Sequence, residues 1–403
     1  MVTSLDVVRQ ILAYNAGRDP ERLALKYAAM RRNDFAFMRG SGHLFYQRLP
    51  RGGIFKSAPL AWISGDAHLE NFGSYKADNR LAYFDLNDFD EAVLAPLSWE
   101  LVRLLVSVHL AVPTLNQRRG SEPDKDLCRR LIEAYAQALV QGKAFWLDRA
   151  HATGVVGELL DGLGQRSRVD FLDARTVQKG KRRLLRVDGA NALPASAAQR
   201  EAVSRWMADF ARHQPHPKFF EVLDVARRVA GLASLGLARD VILVRGKGSP
   251  DGNYLLDLKP APPSVLLPRL KVAQPRWANQ AERVVSLQRR LQAMPMAFLH
   301  AVPAGAQTQV LRGLQPAQDR VALDRLGPKS LADLVQTLGR LLAWSQLRGA
   351  GQQGSANAGA LIDFGQRNKW RAKLAEAAAD CAAQVRADAQ VFNAAFDDGG
   401  FKV

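Results

Sequence analysis

Apolar residues recur along this chain at two spacings, which predict where helices and strands lie. In WELVRLLVSVHL, residues 99–110, apolar side chains fall on nearly every face of a helix, as is typical of a buried helix. Between Leu331 and Leu342 they recur three and four positions apart, and Ser330 with Asp333 forms a capping-box pattern at the start of this segment. Residues 366–396 are rich in alanine and predict a further helix.

Short apolar runs bounded by turn residues predict strands. LAYFDLND at residues 81–88 is one such run. DVILVRG at 240–246 and NYLLDLKPA at 253–261 are joined by a turn rich in glycine and proline, so they predict a hairpin, with a helix expected from about 277 to 293. Between 152 and 218 the periodicity is poor, and a basic run there, Lys179 to Arg183, is interpreted as a solvated face.

Composition and charge indicate which classes of molecule the protein is expected to bind. The 403 residues are enough for two packed units. The chain has 56 Lys and Arg against 39 Asp and Glu, a net charge of +17, which favours anionic partners such as nucleotides; nucleic acid is less favoured because no motif interleaves basic and aromatic residues. Cys128 and Cys381 form neither a disulfide framework nor a zinc spacing. Without a signal segment or a long uninterrupted apolar stretch, we expect a cytoplasmic protein with no membrane span.

The stretch WISGDAHLENFG at residues 62–73 concentrates polar side chains after an apolar run. Phosphoryl transfer needs an aspartate that orients the attacking hydroxyl, and an asparagine and a second aspartate that hold magnesium. Asp66 and Asn71 have the required D-x-x-x-x-N spacing. The following turn, residues 84–92, supplies three acids: Asp85, Asp88 and Asp90. Residues 64–73 are therefore a candidate catalytic loop, and 84–92 a candidate Mg²⁺-binding turn.

A loop of small residues further along the chain is a candidate phosphate-binding element. It follows the pattern G-x-[GA]-x-x-G with Gly231, Ala233 and Gly236, and it includes Ser234. Such a loop lets backbone N–H groups approach phosphate oxygens, and Lys259 on the next predicted strand adds a positive charge. Glu282 is the acid in the helix expected after that strand, so it either fixes Lys259 or is a solvated residue beside Arg283.

GDAHLENFG resembles the catalytic loop G-D-x-H-x-x-N of aminoglycoside phosphotransferases and their relatives in the protein-kinase superfamily. DFDEA at residues 88–92 resembles the D-[WF]-[GD]-[DE]-A turn of those enzymes, and Glu100 stands where they carry a structural acid that opens a helix. The resemblance implies that Asp66 is the base or orienting residue and that Asn71 and Asp88 bind magnesium, with Asp85 and Asp90 beside the metal or on a second ion. His68 would support the loop. Arg39 would either neutralise a phosphate or, as we favour, pair with a buried carboxylate such as Glu100.

In kinases the glycine loop and the lysine precede the catalytic loop, whereas here they follow it. This order is similar to that of a bacterial family, domain of unknown function 2252, although Ala233, Pro260 and Ser286 depart from the family's pattern. The resemblance implies an α+β, protein-kinase-like two-lobe fold that is circularly permuted. Its expected parts are a large helical lobe at 1–220, a small β-rich nucleotide-binding lobe at 221–305, and a hinge with returning helices at 306–403.

The function expected from these features is an ATP- and Mg²⁺-dependent phosphotransferase acting on a hydroxyl of an unidentified small molecule or protein. Nucleotidyl (AMP) transfer would use the same residues with ATP bound in the reverse orientation. A metallophosphoesterase is less favoured because the other histidines lie in no G-N-H-E-like turn, and a non-catalytic basic nucleotide- or nucleic-acid-binding protein is the third alternative. In a permuted kinase, the Lys259 ammonium and the Asp88 carboxylate should face one cleft, on the order of 3 to 8 Å apart.

Overall fold

The computed structural model describes residues 6–115, 124–304 and 307–402, which form a mixed α+β fold with antiparallel sheets. The helices in these ranges are α1 (Val7–Asn15), α2 (Pro20–Met30), α3 (Asp34–Gly40), α4 (Gly42–Arg48), α5 (Ile54–Ser57), α6 (Ser98–Ala111), α7 (Asp124–Gln141), α8 (Gly154–Gly162), α9 (Arg168–Asp173), α10 (Ala197–Arg212), α11 (Gln280–Leu291), α12 (Pro328–Arg348), α13 (Ala358–Gln366) and α14 (Lys369–Asp397). None of the helices in the described ranges is both long enough and apolar enough to cross a membrane.

The strands in the same ranges are β1 (Leu60–Ile63), β2 (Phe72–Lys76), β3 (Ala82–Leu86), β4 (Val93–Pro96), β5 (Thr176–Lys179), β6 (Arg182–Leu185), β7 (Ala192–Pro194), β8 (Val222–Arg228), β9 (Asp240–Val244), β10 (Tyr254–Pro260), β11 (Leu299–Ala304) and β12 (Gln307–Leu314). Six of them form one antiparallel sheet in the order β11-β12-β10-β9-β8-β7, and the others pair as β1-β4, β2-β3 and β5-β6. The six-stranded sheet therefore begins before residue 221 and ends after residue 305.

The largest hydrophobic core surrounds α6. Every residue of this helix is buried, as its apolar pattern predicts. Helices α7 and α14 pack against it, and α12 lies along α7. The six-stranded sheet has a smaller core of its own, in which α10 covers β8. The predicted hairpin is confirmed, since Tyr254 pairs with Val244 and Leu258 with Asp240.

One sequence-based expectation about local structure is wrong, and a second holds only in part. Ser330 does not cap α12: the helix begins at Pro328 after Gly327, because proline is preorganised for a first helical position, and no side chain caps this end. The basic run at 179–183 is not wholly solvated, since Arg183 is buried. Its guanidinium donates to Asp173 at 2.5 Å and to Asp251 at 2.9 Å. The poorly periodic region around it contains α8–α10 and β5–β7.

Candidate active site

The candidate catalytic loop begins where β1 ends, in a turn that requires glycine. Gly65 has φ +78°, and a Cβ at this position would lie 2.3 Å from the Glu91 carbonyl oxygen. Glu100, in the first turn of α6, accepts hydrogen bonds from the Ser64 backbone N–H at 2.6 Å and from the Ser64 hydroxyl at 2.5 Å. Tyr46 donates to the Gly65 carbonyl at 2.7 Å. These contacts fix the direction in which the chain enters the loop.

Asp66 is held by a buried arginine. Nε of Arg103 donates to Oδ1 of Asp66 at 2.7 Å, and the Nη2 group of Arg103 contacts the same oxygen. Burial raises the pKa of Asp66, although Arg103 opposes the shift. The amide nitrogen of Asn71 donates to the Asp66 carbonyl at 3.0 Å, which leaves the Asn71 side-chain oxygen as an available acceptor. Arg103 was not predicted as a site residue, although a charged residue inside an apolar helix suggests a buried partner.

Arg39 pairs with Glu70 and not with Glu100. The two side chains form an ion pair at 2.6 Å, and Arg320 approaches the Glu70 carboxylate at 3.4 Å. The expected pairing of Arg39 with Glu100 is therefore wrong, because Ser64 and Gln346 already occupy the Glu100 carboxylate. Burial and then the charge of Arg39 hold the pKa of His68 well below its ordinary value, and its Nδ1 accepts from the Glu70 N–H at 3.2 Å.

The acidic turn after β3 meets the lysine on β10. Nζ of Lys259 lies 3.9 Å from a carboxylate oxygen of Asp88 and contacts the Asp90 carboxylate directly. The expected separation of Lys259 and Asp88 is thus confirmed. Burial by itself would raise the pKa of Asp88, but Lys259 and Arg312 bring it below its ordinary value. Burial and the neighbouring Asp88 raise the pKa of Asp90.

Two residues predicted for the site lie elsewhere. Asp85 is fully buried, and its carboxylate accepts from Arg348 at 2.7 Å and from the backbone N–H groups of Leu86 and Ala293 at 2.9 and 3.0 Å. Glu282 lies in the first turn of α11. Among the described residues, Lys259 forms its ion pairs with Asp88 and Asp90 and not with Glu282. Neither acid lines the cleft that contains Asp88.

The glycine loop connects β8 to β9, and the N-terminal helices hold it. Gly231 and Gly236 have φ values of +74° and +91°. Arg18 donates to the carbonyls of Ala233 and Leu235, both at 3.1 Å, and the buried Lys26 also donates to the Ala233 carbonyl at 3.1 Å. Because these donors occupy loop carbonyls, they fix the loop backbone against α2 and the connection that precedes it. We call these contacts the loop clamp.

A cleft of about 400 Å³ lies between the catalytic loop, the glycine loop and the sheet. The predicted residues that line it are Arg39, Asp66, His68, Asn71, Asp88, Gly231, Ala233, Ser234 and Lys259, whereas Asp90, Glu100 and Gly236 do not. Five lining arginines are absent from the sequence-based site: Arg175, Arg228, Arg239, Arg312 and Arg320. Arg228 and Arg239 flank the glycine loop closely in sequence, but only the pairing of β10 with β12 brings Arg312 to the cleft.

These observations define an α+β protein whose cleft combines carboxylates, a lysine and several arginines between a catalytic-loop-like turn and an antiparallel sheet. The chain belongs to the bacterial family described as uncharacterized protein conserved in bacteria (DUF2252), whose model matches residues 18–395. No curated protein and no solved structure matches the chain at a significant level.

Proposed function

We propose that the protein is an ATP- and Mg²⁺-dependent, kinase-like phosphotransferase that acts on a hydroxyl of an unidentified small molecule or protein. One observation carries the proposal. Lys259 and Asp88 lie 3.9 Å apart in the same cleft that contains Asp66 and Asn71. A lysine, an orienting aspartate, and an asparagine and aspartate for the metal are the parts that kinase chemistry requires.

Asp66 is suited to orient the acceptor and to take its proton. Its Oδ1 is engaged by Arg103, so the carboxylate is fixed, while its side chain still lines the cleft. A fixed carboxylate holds an acceptor hydroxyl in line with the phosphorus without reorganisation during the reaction. His68, kept neutral by burial and by Arg39, supports the turn through its contact with the Glu70 N–H.

The donor set fits magnesium bound together with a nucleotide. Asn71 and Asp88 offer an amide oxygen and a carboxylate whose pKa is lowered, and both line the cleft. The described ranges contain no all-protein metal site, that is, no group of three or more His, Cys, Asp and Glu side chains that could hold a metal ion. Mg²⁺ is commonly bound by one or two carboxylates and by substrate phosphates, so a small protein ligand set is what this chemistry needs. When bound, the ion would neutralise charge on the phosphates.

The arrangement of the sheet supports a permuted kinase-like order. The glycine loop joins β8 to β9, Lys259 lies on the adjacent β10, and α11 follows. In the kinase template a helix glutamate fixes the lysine. Here Asp90 contacts Lys259 instead, so the acidic turn supplies the lysine's partner.

Thermal unfolding with and without Mg-ATP tests the proposal. A ligand that binds only the native state stabilises it by about 2.7 kcal/mol at a hundredfold excess over Kd, so the unfolding temperature should rise by a few degrees. The shift should require magnesium and vanish in Asp88→Ala and Lys259→Ala. Asp161→Ala is the matched control, because Asp161 is 63% exposed and lies outside the cleft.

Tripolyphosphate distinguishes a nucleotide site from general attraction of polyanions to a chain of charge +17. Surface attraction weakens as the Debye length falls from about 10 Å at 0.1 M salt to about 3 Å at 1 M, whereas a built site loses less. An equal response to tripolyphosphate and Mg-ATP, or a wild-type response in both cleft variants, would favour the non-catalytic basic protein and end the phosphotransferase proposal.

A further inference from the structure

Three arginines converge on one buried carboxylate on the cleft side of the sheet. Asp257 precedes Lys259 by two residues on β10 and is fully buried. Arg239 donates to it through Nε at 2.7 Å and Nη2 at 2.6 Å, and Arg312 donates through Nε at 2.9 Å. Nη1 of Arg228 lies 2.5 Å from the same carboxylate and forms an ion pair with it, but not a hydrogen bond. We call Arg228, Arg239 and Arg312 the arginine trio.

The arginine trio carries more charge than Asp257 requires. Three guanidinium groups against one carboxylate leave a formal net charge of +2, and counting the neighbouring Lys259, Asp88 and Asp90 still leaves +1. The bidentate pair with Arg239 already contacts both Asp257 oxygens, so Arg228 and Arg312 add positive charge beyond this first ion pair. Burial lowers the pKa of Arg228 to about 10 despite the attraction of Asp257. Desolvated positive charge of this kind is costly unless an anion completes its contacts.

All three arginines line the same cleft as Lys259 and the glycine loop. The flat face of a nucleotide base binds by stacking on apolar or aromatic surfaces, whereas guanidinium forks match the oxygens of a phosphate. Because three guanidinium groups surround a single carboxylate and all three line the cleft, we infer that the trio forms a phosphate-binding subsite. The inference rests on the proposed function in taking the donor nucleotide as the source of this phosphate.

Two phosphates of the donor have the required chemistry, and they imply different reactions. If the terminal phosphate binds at the trio, the α-phosphorus lies toward Asp66. The acceptor oxygen then bonds to that phosphorus, the bond from it to the pyrophosphate oxygen breaks, the hydroxyl proton passes to Asp66, and AMP is transferred. If the α-phosphate binds there, the acceptor oxygen bonds to the γ-phosphorus, the bond from that phosphorus to the ADP oxygen breaks, the hydroxyl proton passes to Asp66, ADP leaves, and a phosphoryl group is transferred.

Calorimetric titration of wild type, Arg312→Gln and Arg228→Gln with Mg-ATP, Mg-ADP, AMP and adenosine tests the subsite. Arg245→Gln is the matched control, because it removes the same charge from a solvated arginine outside the cleft. Loss of one charged phosphate contact should weaken Mg-ATP binding by about 10-fold or more in each cleft variant. Adenosine binding should not change. Arg312 is 23% exposed, so Arg312→Gln keeps the test available if Arg228→Gln fails to fold.

The ligand series also identifies which phosphate binds. A loss confined to Mg-ATP, the one ligand of the series that carries a γ-phosphate, supports the terminal phosphate, and transfer of label from the α-phosphorus should accompany it. A loss that extends to AMP supports the α-phosphate, with transfer of label from the γ-phosphorus. Unchanged Mg-ATP affinity in both cleft variants, or an equal loss for adenosine, would overturn the subsite while leaving the proposed function intact. Failure of wild type to bind any of the nucleotides with magnesium would overturn both.

Discussion

Replacing Asp85 should mainly lower stability and replacing Asp88 should mainly abolish ligand binding, because the first carboxylate supports the fold and the second faces the cleft. Asp85 is fully buried and receives Arg348 at 2.7 Å together with two backbone N–H groups. Removing one partner of a buried pair leaves the other uncompensated and costs about 3–5 kcal/mol, so Asp85→Ala should lower the free energy of unfolding by about that amount. The Asp88 side chain is 41% exposed, so Asp88→Ala should cost no more than about 1 kcal/mol.

Urea denaturation followed by tryptophan fluorescence measures these changes, because the chain contains seven tryptophans. The free energy of unfolding of Asp85→Asn should lie between those of wild type and Asp85→Ala, since the amide keeps an acceptor oxygen but loses the charge. The double variant Asp85→Leu/Arg348→Met should recover part of the loss, because it removes both buried charges. The Mg-ATP thermal shift should persist in Asp85→Ala and disappear in Asp88→Ala. A folded Asp85→Ala protein of wild-type stability that fails to respond to Mg-ATP would refute this division and make Asp85 a metal ligand.

Three further predictions concern titration and turnover. Asp66→Ala should lower turnover, measured as ATP hydrolysis or autophosphorylation, by roughly two to four orders of magnitude while Mg-ATP affinity stays within a few-fold; loss of binding would count against its role. Arg103→Met should move the acid limb of the pH–rate profile to higher pH, because Arg103 opposes the burial that raises the pKa of Asp66; an unmoved limb would exclude Asp66 as the titrating base. Burial raises the pKa of Glu91 from 4.5 to about 7, so the free energy of unfolding should fall as the pH rises between those values. Glu91→Gln should remove up to about 3 kcal/mol of that fall, as measured by urea titrations at several pH values.

Local patterns predicted those parts of the fold that depend on neighbouring residues. The burial of α6 and the β9–β10 hairpin follow from periodicity and from a turn rich in glycine and proline. Asp66 and Asn71 were recognisable because their spacing lies within one loop.

The features that the sequence did not reveal depend on contacts between distant segments. Arg103 reaches Asp66 across the catalytic loop, and Arg312 reaches Asp257 only through the pairing of β12 with β10. Asp85 resembles its neighbours in the acidic turn, but the side chain points toward Arg348 on α12. No local spacing distinguishes a carboxylate that faces a cleft from one that pairs inside the core.

The loop clamp and the Lys259 contacts also bear on biosynthesis. A ribosome makes α1 and α2, the catalytic loop and the acidic turn well before the glycine loop and β10. Until then Lys26 lacks the Ala233 carbonyl, and Asp88 and Asp90 lack the lysine that compensates them. A nascent chain that ends before residue 259 therefore carries Asp88 and Asp90 without Lys259, and the cleft assembles only when late-synthesised strands return to the first helices.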